Sequence, residues 1–444
     1  MPFPSQFSPE IMDDVVDHLS DDTFALKHCS LVSQTFRPRS QMHLYSTIEI
    51  DFTRSRRHGH KHPLWSFLNV LTPRLAYCIR NLSIVNYAED VQNGGGEFGR
   101  REEHAFPLLF KQLHTLYSFR LLVEDDYDYG SAPTKLSSSV TSALLAMIES
   151  TKVVELTLTN LGDFPVDKLT LHCPYLKRLM LRLNGEVKDE DVLVQARFPP
   201  MMIPQETTAE KGHLETLEIN VVSNSHLGIL YATSKLPESR ITLSHLRELS
   251  IAGHCLSTAL LVSSIMADAI DTLEQFTWAY EADFLLDDFG SDEMARAFPP
   301  NPLSLKVSFR HWHDEEPLHL FWLYTGLKNT RRPCNRLEDI VILLTINPYA
   351  DLIYTDFWIN CYSWASSIDA LLAGPEYLNL RQVAIFVEYS SLSGKQRLPI
   401  SYLEVLSMQL KEKLLLLLEK GVLSVQWMLV EENVADRDLL QAVL

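Results

Sequence analysis

The chain has 444 residues, 46% hydrophobic and 22% charged, which is ample apolar material for a large core. Its 39 Lys and Arg against 57 Asp and Glu leave a formal charge of 39 − 57 = −18, which repels phosphate backbones and argues against a general nucleic-acid binder. The greasiest run, residues 414–418, is far below the roughly 20 residues that span a bilayer, so no membrane segment is expected.

Residues 1–5 lack the basic and apolar regions of a secretory signal. Six cysteines (Cys29, Cys78, Cys173, Cys255, Cys334, Cys361) are spread thinly, without a C-x-x-C pair. In a chain this long they read as reduced, buried thiols of a cytoplasmic or nuclear protein, with no zinc site and no cofactor expected.

The first element expected is a helix capped by Ser8, with Pro9 at its first position and Glu10, Asp13 and Asp14 near its positive end. Met12, Val15, Val16 and Leu19 fall on one face of it. Ser20-Asp21-Asp22 offers a new cap for a short helix from Thr23 to about Cys29. A third helix is expected from Ser30, carrying Leu31, Val32 and Phe36 until Pro38 interrupts it, and a last one around Ser40 to Tyr45 before a strand-like Thr47-Ile48-Glu49-Ile50. Three or four such helices carry more apolar face than so small a unit buries alone. Either a partner or the rest of the chain must cover it.

The strings Phe7-Ser8-Pro9-Glu10-Ile11, Val15-Val16-Asp17-His18-Leu19 and Leu26-Lys27-His28-Cys29-Ser30-Leu31-Val32-Ser33-Gln34-Thr35-Phe36 continue into Arg37-Pro38-Arg39-Ser40 and His43-Leu44-Tyr45. Together, over roughly residues 5 to 48, they resemble an F-box of the fungal type. The family usually has Leu-Pro where this chain has Phe7-Ser8, and Trp where it has Phe36; both changes keep an apolar or helix-starting role. The resemblance implies docking to a Skp1-like adaptor and, through it, to a cullin. It places Pro9, Ile11, Val15, Leu19, Leu26, Leu31, Val32 and Phe36 in the core of the box or on its docking face, without separating the two roles.

A basic, histidine-containing loop at residues 54–62 marks a boundary. Beyond it one template recurs: apolar, two residues, apolar, one residue, apolar. The five clear copies begin at Leu176, Leu214, Leu246, Leu337 and Leu380, and five looser ones at Ile79, Leu116, Val153, Leu273 and Val422. Alternation over the last three positions predicts short strands with one face inward. Helix-like stretches lie between them, such as residues 257–273, and a terminal helix is expected over residues 402–420 with Gly421 as its stop. Residues 93–103, 124–129, 198–212 and 287–302 read as solvated inserts, any of which is also placed where binding loops occur.

Strand, loop and helix at intervals of roughly 23 to 43 residues predict a solenoid. It resembles the irregular leucine-rich repeats that often follow an F-box, although the expected asparagine appears only at Asn184 among the clear copies. The fold class is thus an α/β (α+β) repeat: a small three-helix F-box over residues 5–50, a linker and first helix over 51–75, and an irregular leucine-rich-repeat-like domain over 76–444.

Chemistry-bearing motifs are weak. Gly94-x-Gly96-x-x-Gly99 lacks the strand that should run into its first glycine. His311, His313 and His319 gather near Asp314, Glu315 and Glu316, but Pro317 disrupts any helix that would align them. The expected function is the substrate-recognition subunit of a Skp1–cullin–F-box type ubiquitin ligase, binding an unknown target protein and contributing no catalytic residue. The alternatives are a repeat scaffold without a ligase role and a divergent α/β enzyme.

Overall fold

The computed structural model describes residues 8–52, 63–87, 97–123, 134–162, 164–183, 211–221, 224–253, 256–281, 302–311, 318–329, 336–346, 355–391 and 400–431. The basic loop, Gly94, Gly96, Asn184, residues 312–317 and most of the inserts lie outside them. Among the described residues the chain is mixed α/β, with fourteen α-helices and parallel strands, and divides into two compact units.

The first unit opens with three helices, α1 (Pro9–Asp17), α2 (Thr23–Val32) and α3 (Arg37–Leu44). The Ser8 hydroxyl accepts from Ile11 N at 3.4 Å and the Asp22 carboxylate from Ala25 N at 2.9 Å, so both expected caps form. The segment after Asp22 forms one helix where two were expected. Ser30 does not start a new one, because its hydroxyl turns back to the Lys27 carbonyl at 2.7 Å and the helix runs on to Val32. Pro38 lies in the first turn of α3 and starts that helix, because a missing N–H costs nothing there.

Strand β1 (Thr47–Asp51) follows α3 after two residues. Then come α4 (Pro63–Val70), α5 (Pro73–Cys78), β2 (Asn81–Tyr87), α6 (Glu97–Gln112), β3 (Ser118–Val123), α7 (Ser138–Ser150), β4 (Glu155–Thr159), α8 (Val166–His172) and β5 (Arg178–Leu183). The five strands pair in parallel and in sequence order. Parallel neighbours need a crossover, and the helices supply it.

The second unit repeats the arrangement with β6 (Thr216–Val221), α9 (Asn224–Ser234), β7 (Glu248–Gly253), α10 (Leu256–Asp268), β8 (Gln275–Glu281), β9 (Ser304–His311), α11 (Leu318–Asn329), β10 (Asp339–Ile346), α12 (Thr355–Leu372), β11 (Gln382–Ser391), α13 (Ile400–Lys413), α14 (Leu415–Glu419) and β12 (Leu423–Glu431). These seven strands are also parallel and in sequence order.

Nine of the ten templates start two residues before a strand, and all their apolar positions are at most 5% exposed. Their central residues line up across the sheets: Leu82, Phe119, Leu156 and Leu179 in the first unit, and in the second Leu217, Leu249 and Phe276, then, across Leu305 of β9, Ile340 and Val383. The tenth copy is displaced, because Val425 pairs with Ile385 rather than Val383. A shift of two residues keeps its apolar side chains on the same face. Two strands carry the template without its usual first residue. Tyr45 precedes Ile48 and Ile50 in β1, and Pro302 precedes Leu305 and Val307 in β9, where a buried proline replaces the leucine.

A backbone contact accompanies the template. The Ser46 carbonyl accepts from both Arg80 N and Asn81 N, the Arg80 carbonyl from Tyr117 N and Ser118 N, and the same step recurs at Tyr117 and Val154. In the second unit it recurs at Glu215, Arg247, Glu274, Leu303 and Glu338. One carbonyl thus uses both lone pairs to start the next strand in register.

The expected helix over residues 402–420 breaks at Leu414 into α13 and α14. The cause is Asp369, a buried residue of α12 whose carboxylate accepts from Leu416 N at 3.0 Å and Leu417 N at 2.9 Å, capping a new helix. Gly421, at φ 75°, then supplies the left-handed stop that its position predicts. Replacing Asp369 with Ala leaves these amides without that acceptor and is expected to cost about 1–3 kcal/mol. Hydrogen exchange across residues 415–419 should quicken in the variant; unchanged exchange would contradict the capping role.

Candidate protein-docking surface

Helix α3 packs against both α1 and α2. Val16 from α1 and Leu26 from α2, each 1% exposed, fill the small core between the helices. Leu19 and Phe36 are half-buried. The remaining predicted positions face outward: Pro9 is exposed, Ile11 and Val15 are about half exposed, and Leu31 and Val32 are 76% and 80% exposed. The structure thereby separates the buried positions from the exposed ones, which the sequence leaves merged.

The outward face of α2 also holds Phe24, 72% exposed, whose ring meets His28 edge-on at 4.3 Å between centroids. Sequence reasoning missed it. Phe24 and Leu31 are seven residues apart, and that i, i+7 relation was the available signal. Helix α2 therefore has two apolar faces, with Leu26 inward and Phe24, Leu31 and Val32 outward. Burying each such side chain is worth about 1.5–3 kcal/mol, so leaving five large apolar side chains (Ile11, Val15, Phe24, Leu31, Val32) in water on a small unit forgoes a large stabilisation.

A charged cluster fixes α1 on α3. Arg39 donates from Nε to Asp17 Oδ1 at 2.5 Å and from Nη2 to Oδ2 at 2.6 Å, a bidentate pair. His43 Nε2 lies 2.7 Å from Oδ1, and because a carboxylate only accepts, that nitrogen carries the proton. Arg39 first, then His43, holds the Asp17 carboxyl well below the usual carboxylate range, and Asp17 in turn raises Arg39.

Elsewhere the described residues offer little chemistry. No group of three His, Cys, Asp or Glu among them is placed to hold a metal ion. Burial pushes the Cys78 thiol up and the Cys173 thiol up to about 12, which disfavours the nucleophilic thiolate form in both. A shallow groove is lined by Tyr324, Lys328, Ser366, Ser367, Ala370 and Leu371, none of which is a carboxylate or an imidazole. No described helix is long and apolar enough to cross a membrane. The glycine and histidine strings that the sequence gives no metal or nucleotide role fall largely outside the described residues, although Gly99 lies in α6, His311 at the end of β9 and His319 in α11.

Because the folded state lowers the Asp17 pKa, its contribution is full above the ordinary carboxylate range and fades as pH falls toward the depressed folded value. The melting temperature of Asp17→Asn should therefore fall below that of the unmodified chain near neutral pH, with the gap closing on acidification. A gap that widens in acid would contradict this linkage.

The chain matches no protein-family model and no curated protein, so the reading of this surface rests on its own residues.

Proposed function

We propose that this chain is the substrate-recognition adaptor of a Skp1–cullin–F-box type ubiquitin ligase. In this reading α1 to α3 form the F-box, the strand–helix units form an irregular leucine-rich-repeat-like solenoid, and the outward residues of α1 and α2 dock a Skp1-like adaptor. The observation that carries it is the exposure of Ile11, Val15, Phe24, Leu31 and Val32 on helices whose inner faces are already packed. Apolar side chains in that state favour a partner over a role in the core. The F-box-like strings supply the identity of the partner, and the repeated units supply a large surface for a target protein.

The mechanism is proximity. Tethering a target beside a catalytic centre on another subunit raises the effective concentration of its lysines, and this chain donates no catalytic group. A repeat scaffold without a ligase role is the alternative.

Co-purification with a Skp1-type adaptor tests the reading. Ile11→Asp with Leu31→Asp should abolish binding, because central apolar contacts are worth about 2 kcal/mol each or more. Both side chains are exposed, so circular dichroism of the variant should match the unmodified chain. Failure of the unmodified chain to bind any Skp1-type adaptor would sink the ligase reading and leave the scaffold.

A further inference from the structure

At one edge of the first unit each helix gives way to the strand that follows it. The turns concerned are residues 43–47, 76–81, 111–118, 149–155 and 172–178. With histidines neutral, they hold five cations (Arg80, Lys111, Lys152, Lys177, Arg178) against two carboxylates (Glu149, Glu155), a net of 5 − 2 = +3 in a chain of −18. Glu155 is paired with Arg178, whose Nη1 is 3.3 Å from Oε1, and Glu149 lies 3.4 Å from His172. The excess ends there. Farther along the strands, the level row Glu49, Ser83, Arg120, Thr157 and Met180 holds one charge of each sign.

The same edge exposes three tyrosines, Tyr77 (57%), Tyr117 (46%) and Tyr175 (49%). Contacts gather them into one strip. Thr115 Oγ1 donates to the Tyr77 carbonyl at 2.9 Å, which seats the turn before β3 against Tyr77. Arg80 Nη1 donates to the Thr115 carbonyl at 3.4 Å, so its guanidinium lies at that turn as well. The Tyr117 carbonyl accepts from Val154 N, two residues beyond Lys152, and Lys152 Nζ stands 5.6 Å from the centre of the Tyr175 ring. At Arg80 and Tyr117 the backbone sets the register of the strands, and the side chains reach solvent. From β2 to β5 is three strand steps, about 14 Å, the length of about four residues of extended chain.

We propose that this edge binds a short acidic segment of a partner protein, with carboxylates meeting Arg80 and Lys152 and apolar side chains lying on Tyr77 and Tyr117. Tyrosine offers a large contact area and loses little conformational entropy when it is covered, and Tyr and Arg are the residue types that dominate binding at protein interfaces. The local charge selects an acidic partner. At physiological salt the screening length is about 8 Å, so the carboxylates elsewhere on the chain act weakly on a peptide no longer than the strip. A phosphate backbone that outran the strip would meet the rest of a strongly acidic chain, which favours a protein segment over a nucleic acid. The inference goes beyond the proposed function, since it holds whether or not the chain recruits a Skp1-like adaptor.

The test adds a short fluorescein-labelled peptide of Glu and Leu to the full chain and follows fluorescence anisotropy, with a Gln-and-Leu peptide and a single-stranded oligonucleotide as controls. The acidic peptide should bind and the two controls should not. Arg80→Glu with Lys152→Glu should weaken binding at least about tenfold, and so should Tyr77→Ser with Tyr117→Ser. All four side chains are exposed, so circular dichroism of both variants should match the unmodified chain. The assay contains no adaptor, so a failure of the ligase reading leaves it intact. No binding of the acidic peptide, or equal binding by the folded variants, overturns the proposal. So does binding of the oligonucleotide that the same substitutions abolish, which would make this edge a nucleic-acid site.

Discussion

In nearly every step from one strand to the next, a carbonyl just ahead of one strand accepts the two amides that open its neighbour. This places the three apolar side chains of each template over those of the preceding one, and the nearly complete burial of those side chains in both units follows from it. A parallel strand cannot choose its register through a tight turn, because its partner lies a whole crossover away. The doubly accepting carbonyl removes that freedom at the first residue. It also explains why the spacer positions tolerate Arg, Glu, Lys, Tyr and Leu alike: only their backbone groups take part.

The N-terminal helices are joined to this scheme without a linker. Helix α3 runs through Tyr45 into Ser46, whose carbonyl is the first of the series. The same helix carries Arg39 and His43, which grip Asp17 at the end of α1. The outward residues of α1 and α2 are thus held by a helix that is itself anchored to the first pair of strands. In the proposed function this fixes the docking face relative to the strands of the first unit. Asn160 performs a related service deeper in that unit. Held at φ 58°, it donates from its side chain to the Val123 carbonyl at 2.9 Å and from its backbone to Arg182 O at 2.5 Å, tying β4 to both neighbours.

Periodicity made the strands legible, because a three-residue apolar pattern with polar spacers carries its own geometry. It found nine strands in register, and the first was expected only as a strand-like run from Thr47 to Ile50 because the partly exposed Tyr45 masks its template; β9 was missed because Pro302 stands where a leucine was sought. It did not foresee the break at Leu414, since the cause is Asp369, 45 residues earlier in the chain (414 − 369 = 45). Nor did it reach Asn160, whose partners lie on strands either side. For the proposed docking surface the resemblance supplied eight positions, but local spacing could not divide core from surface; only packing distinguishes Leu26 from Leu31. Phe24 escaped because the family strings begin again only at Leu26.

Hydrogen–deuterium exchange of the full chain, alone and with a Skp1-type adaptor, tests the central claim most directly. The account predicts slowed exchange across residues 9–32, where α1 and α2 present their outward apolar side chains, with the strands of both units unchanged. Protection confined to the strands, or no protection in α1 and α2 under conditions where the complex forms, would contradict it.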